Sequence, residues 1–196
     1  MPNYPTYKLG EICKTTSGGT PDRKNSSYYN GSIPWVKSGE LDKGIIYDTE
    51  ERITKEALSN SSAKLYPEGS IILAMYGATI GKTAKLGIEA TTNQACAVLY
   101  DIDDTLVNSD YLWFYLQTQT NKFKELAYGG AQPNINAGIV SNYFLPLPSL
   151  DVQMELANHT FLEKKKIQSL KEEIQELRKK SDVIVENLLF GTSCSK

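Results

Sequence analysis

VQMELANHTFLEKKKIQSLKEEIQELRKKSDVIVENLL, residues 152–189, decides the architecture of this chain. It holds no proline and no glycine, and it is rich in Glu, Lys and Leu, all strong helix formers. Upstream, Pro146-Leu-Pro148-Ser149 breaks regular structure, and Ser149 or Asp151 stands where a helix N-cap is needed. Ile167, Leu170, Ile174, Leu177, Ser181, Ile184 and Leu188 step by alternating threes and fours, the a/d spacing of a coiled coil, and only Ser181 interrupts the apolar series. Charged blocks at residues 164–166, 171–173 and 178–180 supply a solvated face. Such a helix is about 57 Å long at 1.5 Å per residue, too long to bury its stripe against a domain made from the rest of the chain. The spacing therefore predicts a long dimerisation helix over residues 151–190. Ile167, Leu170, Ile174, Leu177, Ile184 and Leu188 form its interface, Ser181 is a candidate register device, and residues 191–196 form a disordered tail.

Residues 1–150 follow a different grammar, with Gly, Pro, Ser, Thr, Asn and Tyr scattered among short apolar runs. SIILAMY (70–76) and ACAVLY (95–100) are bounded by turn residues and predict buried strands. Residues 33–37 and 44–48 suggest edge or hairpin strands. Thr54 is placed to cap a short helix ending near Ser59. Asn108 or Ser109 caps a longer one, with Tyr111, Leu112, Tyr115, Leu116, Phe123 and Leu126 on its buried face, ended by Gly129-Gly130 and followed by a loop over residues 131–135. Trp35 and Trp113 are expected in the core. The fold class is thus α+β: one mixed domain, residues 1–150, followed by a long C-terminal helix.

No run of eighteen apolar residues exists and residues 1–10 lack an apolar signal core, so the expected location is the cytoplasm. Cys13, Cys96 and Cys194 are odd in number and widely spaced, which argues against a disulfide framework or a zinc site. Enzymatic motifs are missing. Gly77-Ala-Thr-Ile-Gly81-Lys82-Thr83 imitates a phosphate-binding loop but has three residues between its glycines where four are needed to wrap a phosphate. A strand-turn-strand hairpin that puts Lys82 and Lys85 on the surface is the better reading. The single histidine, His159, lies on the long helix, and neither a GxSxG elbow nor an HExxH helix is present. No catalytic residue, metal site or bound cofactor is expected.

Three loop-like segments do carry side chains suited to nucleic acid. Asn, Gln and Lys identify base edges, whereas Ser, Thr and backbone N–H groups hold phosphates. Residues 17–25 supply Ser17, Thr20 and Lys24, with Gly18, Gly19 and Pro21 shaping the loop. Residues 76–85 supply Lys82 and Thr83 with no acid. Residues 129–136 supply Gln132, Asn134 and Asn136 with no charge at all. These eight are the DNA-facing candidates. The net charge of −2 disfavours strong unaided DNA binding, unless basic and acidic faces are segregated or a partner contributes positive charge. Asp101, Asp103, Asp104 and Asp110 do gather away from the candidate loops.

The order of short motifs adds more. Ser17-Gly-Gly-Thr-Pro21, Ile33-Pro-Trp-Val-Lys-Ser-Gly-Glu-Leu41, Gly69-Ser-Ile-Ile-Leu73, Gly81-Lys82, Thr92-Asn-Gln94, Tyr111-Leu-Trp-Phe-Tyr-Leu116 and Gly129-Gly-Ala-Gln-Pro-Asn-Ile135 occur in that sequence. With the Leu145-Pro-Leu-Pro-Ser-Leu-Asp-Val-Gln153 entry into the helix, they resemble the target-recognition domains of Type I restriction-modification specificity subunits. The resemblance implies a non-catalytic subunit that selects double-stranded DNA and holds methyltransferase subunits, which bind S-adenosylmethionine; a restriction or motor subunit is a further partner. Full-length members have two recognition domains separated by two long helices. One domain and one helix make this chain a half-length form, either a natural half-subunit or a piece of a longer protein. Two copies paired through the helix would restore the layout and read a palindromic split site. The alternative is a decoy or swappable half-subunit that binds methyltransferase without forming an active complex.

Overall fold

Short strands and helices alternate along the first three quarters of the chain and end in one long helix, in a computed structural model that describes residues 4–130 and 132–191. The order is β1 (Thr6–Lys8), α1 (Leu9–Ile12), β2 (Lys14–Ser17), β3 (Tyr29–Val36), β4 (Ile45–Ile46), β5 (Glu51–Ile53), α2 (Lys55–Ser59), β6 (Ile71–Ala74), β7 (Thr83–Leu86), β8 (Thr91–Thr92) and β9 (Cys96–Tyr100). Then follow α3 (Ser109–Thr118), α4 (Thr120–Glu125), α5 (Ala137–Ser141), β10 (Phe144–Pro146) and α6 (Leu150–Phe190), with 3-10 turns at Ser26–Tyr28, Ser38–Lys43 and Gly77–Thr79. The fold is α+β, as the sequence predicts. Two compact units divide it, residues 1–154 and 155–196.

In the first unit a five-stranded sheet has the order β2-β9-β6-β7-β4, and a three-stranded sheet the order β5-β3-β8. The predicted strands at 70–76 and 95–100 are the neighbours β6 and β9, antiparallel with Ala74 opposite Cys96 and Ile71 opposite Leu99. All four residues of β6 are buried, so both faces of the sheet are covered, as a continuous apolar run requires. Strand β3 serves two cores because successive side chains point to opposite faces. Val36 packs with Ile46, Ile72 and Val98, while Trp35 packs with Ile53, Ala57 and Ala63. The Trp35 indole N–H is satisfied by the Gly19 carbonyl at 3.0 Å. Trp113 is also buried.

Two of the helix caps read from the sequence, at Thr54 and Asn108, are made. The Thr54 hydroxyl accepts from Ala57 N–H, and the Asn108 side chain accepts from Asp110 and Tyr111 N–H. Other expectations need correction. The helix expected across residues 109–126 breaks at Gln119 into α3 and α4, and Leu126 is exposed. The break lets the Thr120 hydroxyl donate to the Gly81 carbonyl at 3.0 Å. Gly81 belongs there because an added Cβ would lie 2.8 Å from Thr120 Cα. Strand β3 is central to its sheet, not an edge. Lys85 is not a surface lysine either. Its side chain is 15% exposed and its ammonium is held by Asp110 at 2.6 Å and Ser109 at 3.0 Å.

Helix α6 runs 41 residues. In its first turn, Gln153 is completely buried and makes three hydrogen bonds. It accepts from Asn108 N–H at 2.9 Å and donates to the carbonyls of Leu106 at 3.0 Å and Pro148 at 2.9 Å. In the second unit the apolar stripe is uncovered: Ile167, Leu170, Ile174, Leu177, Ile184 and Leu188 are between 49% and 72% exposed. Gly191 closes the described helix with its N–H on the Asn187 carbonyl at 2.9 Å. The rest of the expected tail, residues 192–196, lies outside the described residues.

Candidate nucleic-acid interface

The strand register sorts the loops of the five-stranded sheet into two ends. Ser17 lies opposite Ala97, Ala74 opposite Cys96, and Thr83 opposite Leu73. Strands β2 and β6 therefore leave the sheet at the same end where β7 and β9 enter it. Residues 18–25, 75–82 and 93–95 all emerge there. The third candidate segment is stitched to this end by backbone bonds. Gly77 N–H reaches the Pro133 carbonyl at 3.0 Å, and Ile135 N–H reaches the Met75 carbonyl at 2.9 Å. Tyr76 and Tyr128 each form a bridge with Asn134. Three segments far apart in sequence thus converge on one surface.

The first segment is held by close backbone approach. Gly18 N–H bonds to the Cys96 carbonyl at 2.9 Å, and Gly19 N–H to the Thr92 carbonyl at 2.8 Å. A Cβ on Gly18 would lie 2.3 Å from the Asn93 carbonyl oxygen, and one on Gly19 would lie 2.2 Å from Ala63 N. Only glycine fits both places. Arg23, further along, is bidentate to Glu51 and lies over the rings of Tyr29 and Trp35, 4.6 and 4.5 Å from their centroids. That hydrogen bond, with Lys37 beside it, holds the Glu51 carboxyl below the usual carboxylate range.

The candidate side chains fare differently. Ser17 is half-buried at the end of β2, its carbonyl accepting from the Tyr66 hydroxyl at 3.2 Å. Thr20 is half-buried, and its hydroxyl accepts a long 3.5 Å contact from Gln94 N–H. Lys24 is exposed in a turn where its N–H bonds to the Asp22 carboxylate at 2.9 Å. Lys82 reaches the edge of the surface and pairs with Asp42 at 2.6 Å. Thr83 is a correction: its side chain is buried at 6% exposure, because β7 lies inside the sheet, and its hydroxyl has no partner. Asn136 is exposed, yet its amide is committed. The oxygen caps α5 by accepting from Ile139 N–H at 2.9 Å, and the nitrogen donates to the Tyr128 hydroxyl at 3.1 Å. Asn134 donates to the Gln132 carbonyl at 3.4 Å. Gln132 is exposed beside a cavity of about 170 Å³ that it lines with Tyr76 and Asn134.

Sequence reasoning missed some members of this surface. Tyr76 and Tyr128 are 38% and 55% exposed here, and aromatic rings with a polar tip suit a nucleic-acid surface. Gln94 is exposed next to Thr20. Its place in Thr92-Asn-Gln94 was a signal, as was the Asn136-Ala-Gly-Ile pattern of a helix cap. The opposite end of the sheet is acidic. A groove of about 410 Å³ there is lined by Glu68, Asp101 and Asp104 among others, and those carboxylates would repel phosphates. The candidate end is polar more than basic, with Lys82 paired to Asp42.

Among the described residues no three His, Cys, Asp or Glu side chains converge as a metal site would require. No helix there is long and apolar enough to cross a membrane.

A mixed domain with clustered polar loops is followed by a long helix with a bare apolar stripe. Residues 1–179 match the family described as Type I restriction modification DNA specificity domain, and the chain belongs to that family. It is 28% identical over 154 residues to the Type I restriction enzyme EcoR124I/EcoR124II specificity subunit of Escherichia coli, covering 76% of this chain and 38% of that subunit. It is 27% identical over 191 residues to the MjaIX specificity subunit of Methanocaldococcus jannaschii, covering 95% and 42%. The chain thus spans less than half the length of these relatives. Solved structures share its fold. The HsdS subunit from Thermoanaerobacter tengcongensis aligns with a TM-score of 0.66 at 20% identity, over 95% of this chain and 45% of that one. A Type I restriction-modification S subunit from M. genitalium gives 0.64 at 14%, over 97% and 47%.

Proposed function

We infer that this chain is a non-catalytic specificity subunit that reads one half of a bipartite double-stranded DNA target and recruits DNA methyltransferase subunits. The observation that carries the reading is the family match over residues 1–179, joined to the convergence of three uncatalytic polar loops at one end of the sheet. Two copies pair through α6, whose stripe from Ile167 to Leu188 is otherwise left about half or more exposed to water. S-adenosylmethionine belongs to the methyltransferase subunits, and a restriction or motor subunit is the remaining partner. The assembly works in the cytoplasm. The near-neutral chain leaves the partner subunits to supply much of the phosphate neutralisation.

The test is to express the chain with the methyltransferase subunits of its system and map methylated adenines across a genome. A split palindromic motif is expected. Methylation of a non-palindromic or unsplit motif would refute the paired half-subunit. Stable binding to methyltransferase with no methylation would favour the decoy reading.

A further inference from the structure

We propose that Arg23 is a positioning residue: clamped on Glu51 and on the rings of Tyr29 and Trp35, it fixes the segment Thr20 to Lys24 in the place from which it meets a DNA half-site. The inference rests on the function proposed above and names what holds one of the three loops in register. In this role Arg23 touches no base and acts through its neighbours. Its Nη1 donates to Glu51 Oε2 at 2.5 Å and its Nη2 to Oε1 at 3.4 Å. The guanidinium carbon lies 4.6 Å from the centroid of the Tyr29 ring and 4.5 Å from that of Trp35. A planar fork that can also lie over aromatic faces makes all of these contacts at once, whereas the point charge of a lysine cannot.

The same two aromatic residues hold the chain just ahead of Arg23. The Trp35 indole N–H donates to the Gly19 carbonyl at 3.0 Å, and the Tyr29 hydroxyl donates to the Pro21 carbonyl at 2.8 Å. Anchors thus fall on residues 19, 21 and 23, and Thr20, Asp22 and Lys24 stand next to them. The Asp22 carboxylate accepts from Lys24 N–H at 2.9 Å and its carbonyl from Asn25 N–H at 3.1 Å, which closes the turn that carries Lys24. Tyr29 and Trp35 belong to β3, the central strand of its sheet, and Glu51 belongs to the neighbouring β5. The clamp therefore stands on strands and not on another loop.

What the clamp places is scarce on this surface. Residues 18–25, 75–82, 93–95 and 129–136 contain three cations, Arg23, Lys24 and Lys82. Arg23 is paired with Glu51 and Lys82 with Asp42, which leaves the Lys24 ammonium as the charge these segments can offer a phosphate. A contact made from a loop is worth little unless the backbone beneath it is held. Arg23 spends its own charge on holding that backbone.

The test compares the wild type with Arg23→Lys, which keeps the charge but loses the fork, and with Glu51→Gln, which loosens the clamp from its other side. Lys37, the second partner of Glu51, keeps its pair with Glu50 in the latter. Limited trypsin digestion of the full chain needs no DNA. Cleavage after Lys24 is expected to speed up several-fold in both variants, because the loop opens more often; an unchanged rate would overturn the clamp whatever the chain binds. Affinity is then measured for a duplex target selected from a randomised pool and for a scrambled duplex. The chain is assembled on its modification subunits and held well below each variant's melting temperature. The ratio of the two affinities is expected to fall on the order of tenfold in both variants. An unchanged ratio for Arg23→Lys would show that charge alone matters and would overturn the proposal. Tighter target binding by Glu51→Gln would overturn it too, since Arg23 would then be gripping DNA itself. No selected target with the wild type, with cleavage still faster in the variants, would instead overturn the underlying DNA-specificity reading.

Discussion

Gln153→Ala should destabilise the first unit far more than a one-residue truncation on a helix ordinarily does. The side chain is completely buried and joins three pieces of chain, the 106–108 loop, the Pro148 turn and the first turn of α6. Truncation strands the Asn108 N–H and the Pro148 carbonyl, and each buried unsatisfied group costs about 1–3 kcal/mol. The Leu106 carbonyl, nearer the surface, can be taken up by water. The sum is about 2–6 kcal/mol, or roughly 4–24 °C in melting temperature for a domain of this size. Gln153→Glu should be at least as damaging, because it turns an oxygen toward two carbonyl oxygens and buries a charge. Urea unfolding followed by the fluorescence of Trp35 and Trp113, both buried in this unit, measures the loss. Glu163→Ala, exposed on α6, is the control and should stay within about 0.5 kcal/mol. A Gln153→Ala loss as small as the control's would refute the idea that this amide holds the junction.

Leu170→Glu combined with Leu177→Glu places two charges on the exposed stripe of α6, and sedimentation should show monomers; an unchanged dimer removes the helix as the interface. Gly19→Ala drives a Cβ to 2.2 Å from Ala63 N. The resulting displacement should cost about 1–3 kcal/mol and disturb the Trp35 indole contact to the Gly19 carbonyl, visible as a shift in tryptophan emission. Burial pushes the Cys13 thiol from 9.0 to about 11, against a small opposing hydrogen bond from Thr15. The folded state therefore holds this proton more tightly than the unfolded state. The associated stability is complete below pH 9 and is lost as pH rises toward 11. Urea midpoints across that window should fall more steeply for the wild type than for Cys13→Ala.

What the sequence disclosed was whatever is encoded locally. The helix over residues 150–190, the caps at Thr54 and Asn108, and the β6 and β9 runs depend on neighbours within a few positions. Their patterns were readable for that reason. Features set by distant partners were not. The break at Gln119 sits where Thr120 meets Gly81, thirty-nine residues away in sequence, and no periodicity encodes that meeting. Thr83 reads as a loop residue beside Gly81-Lys82 until β7 is seen to lie between β6 and β4. Of the candidate surface, the polar composition of its three segments was legible. Their convergence was not, because it follows from pairings between segments distant in sequence, β2 with β9 and residues 75–77 with 133–135. Nor could composition reveal which amides were already spent, as at Asn136 and Asn134.

The bare stripe on α6 has a thermodynamic consequence. Beyond its first turns the helix presents Ile167, Leu170, Ile174 and Leu177 to water, so what stabilises it there is its own backbone hydrogen bonding and local pairs such as Glu176 with Lys180, which are marginal for a lone helix. Any molecule that covers those residues is therefore also a folding ligand. It adds stability that grows as RT ln(1 + [L]/Kd), so the order of this helix should report the concentration of whatever it binds.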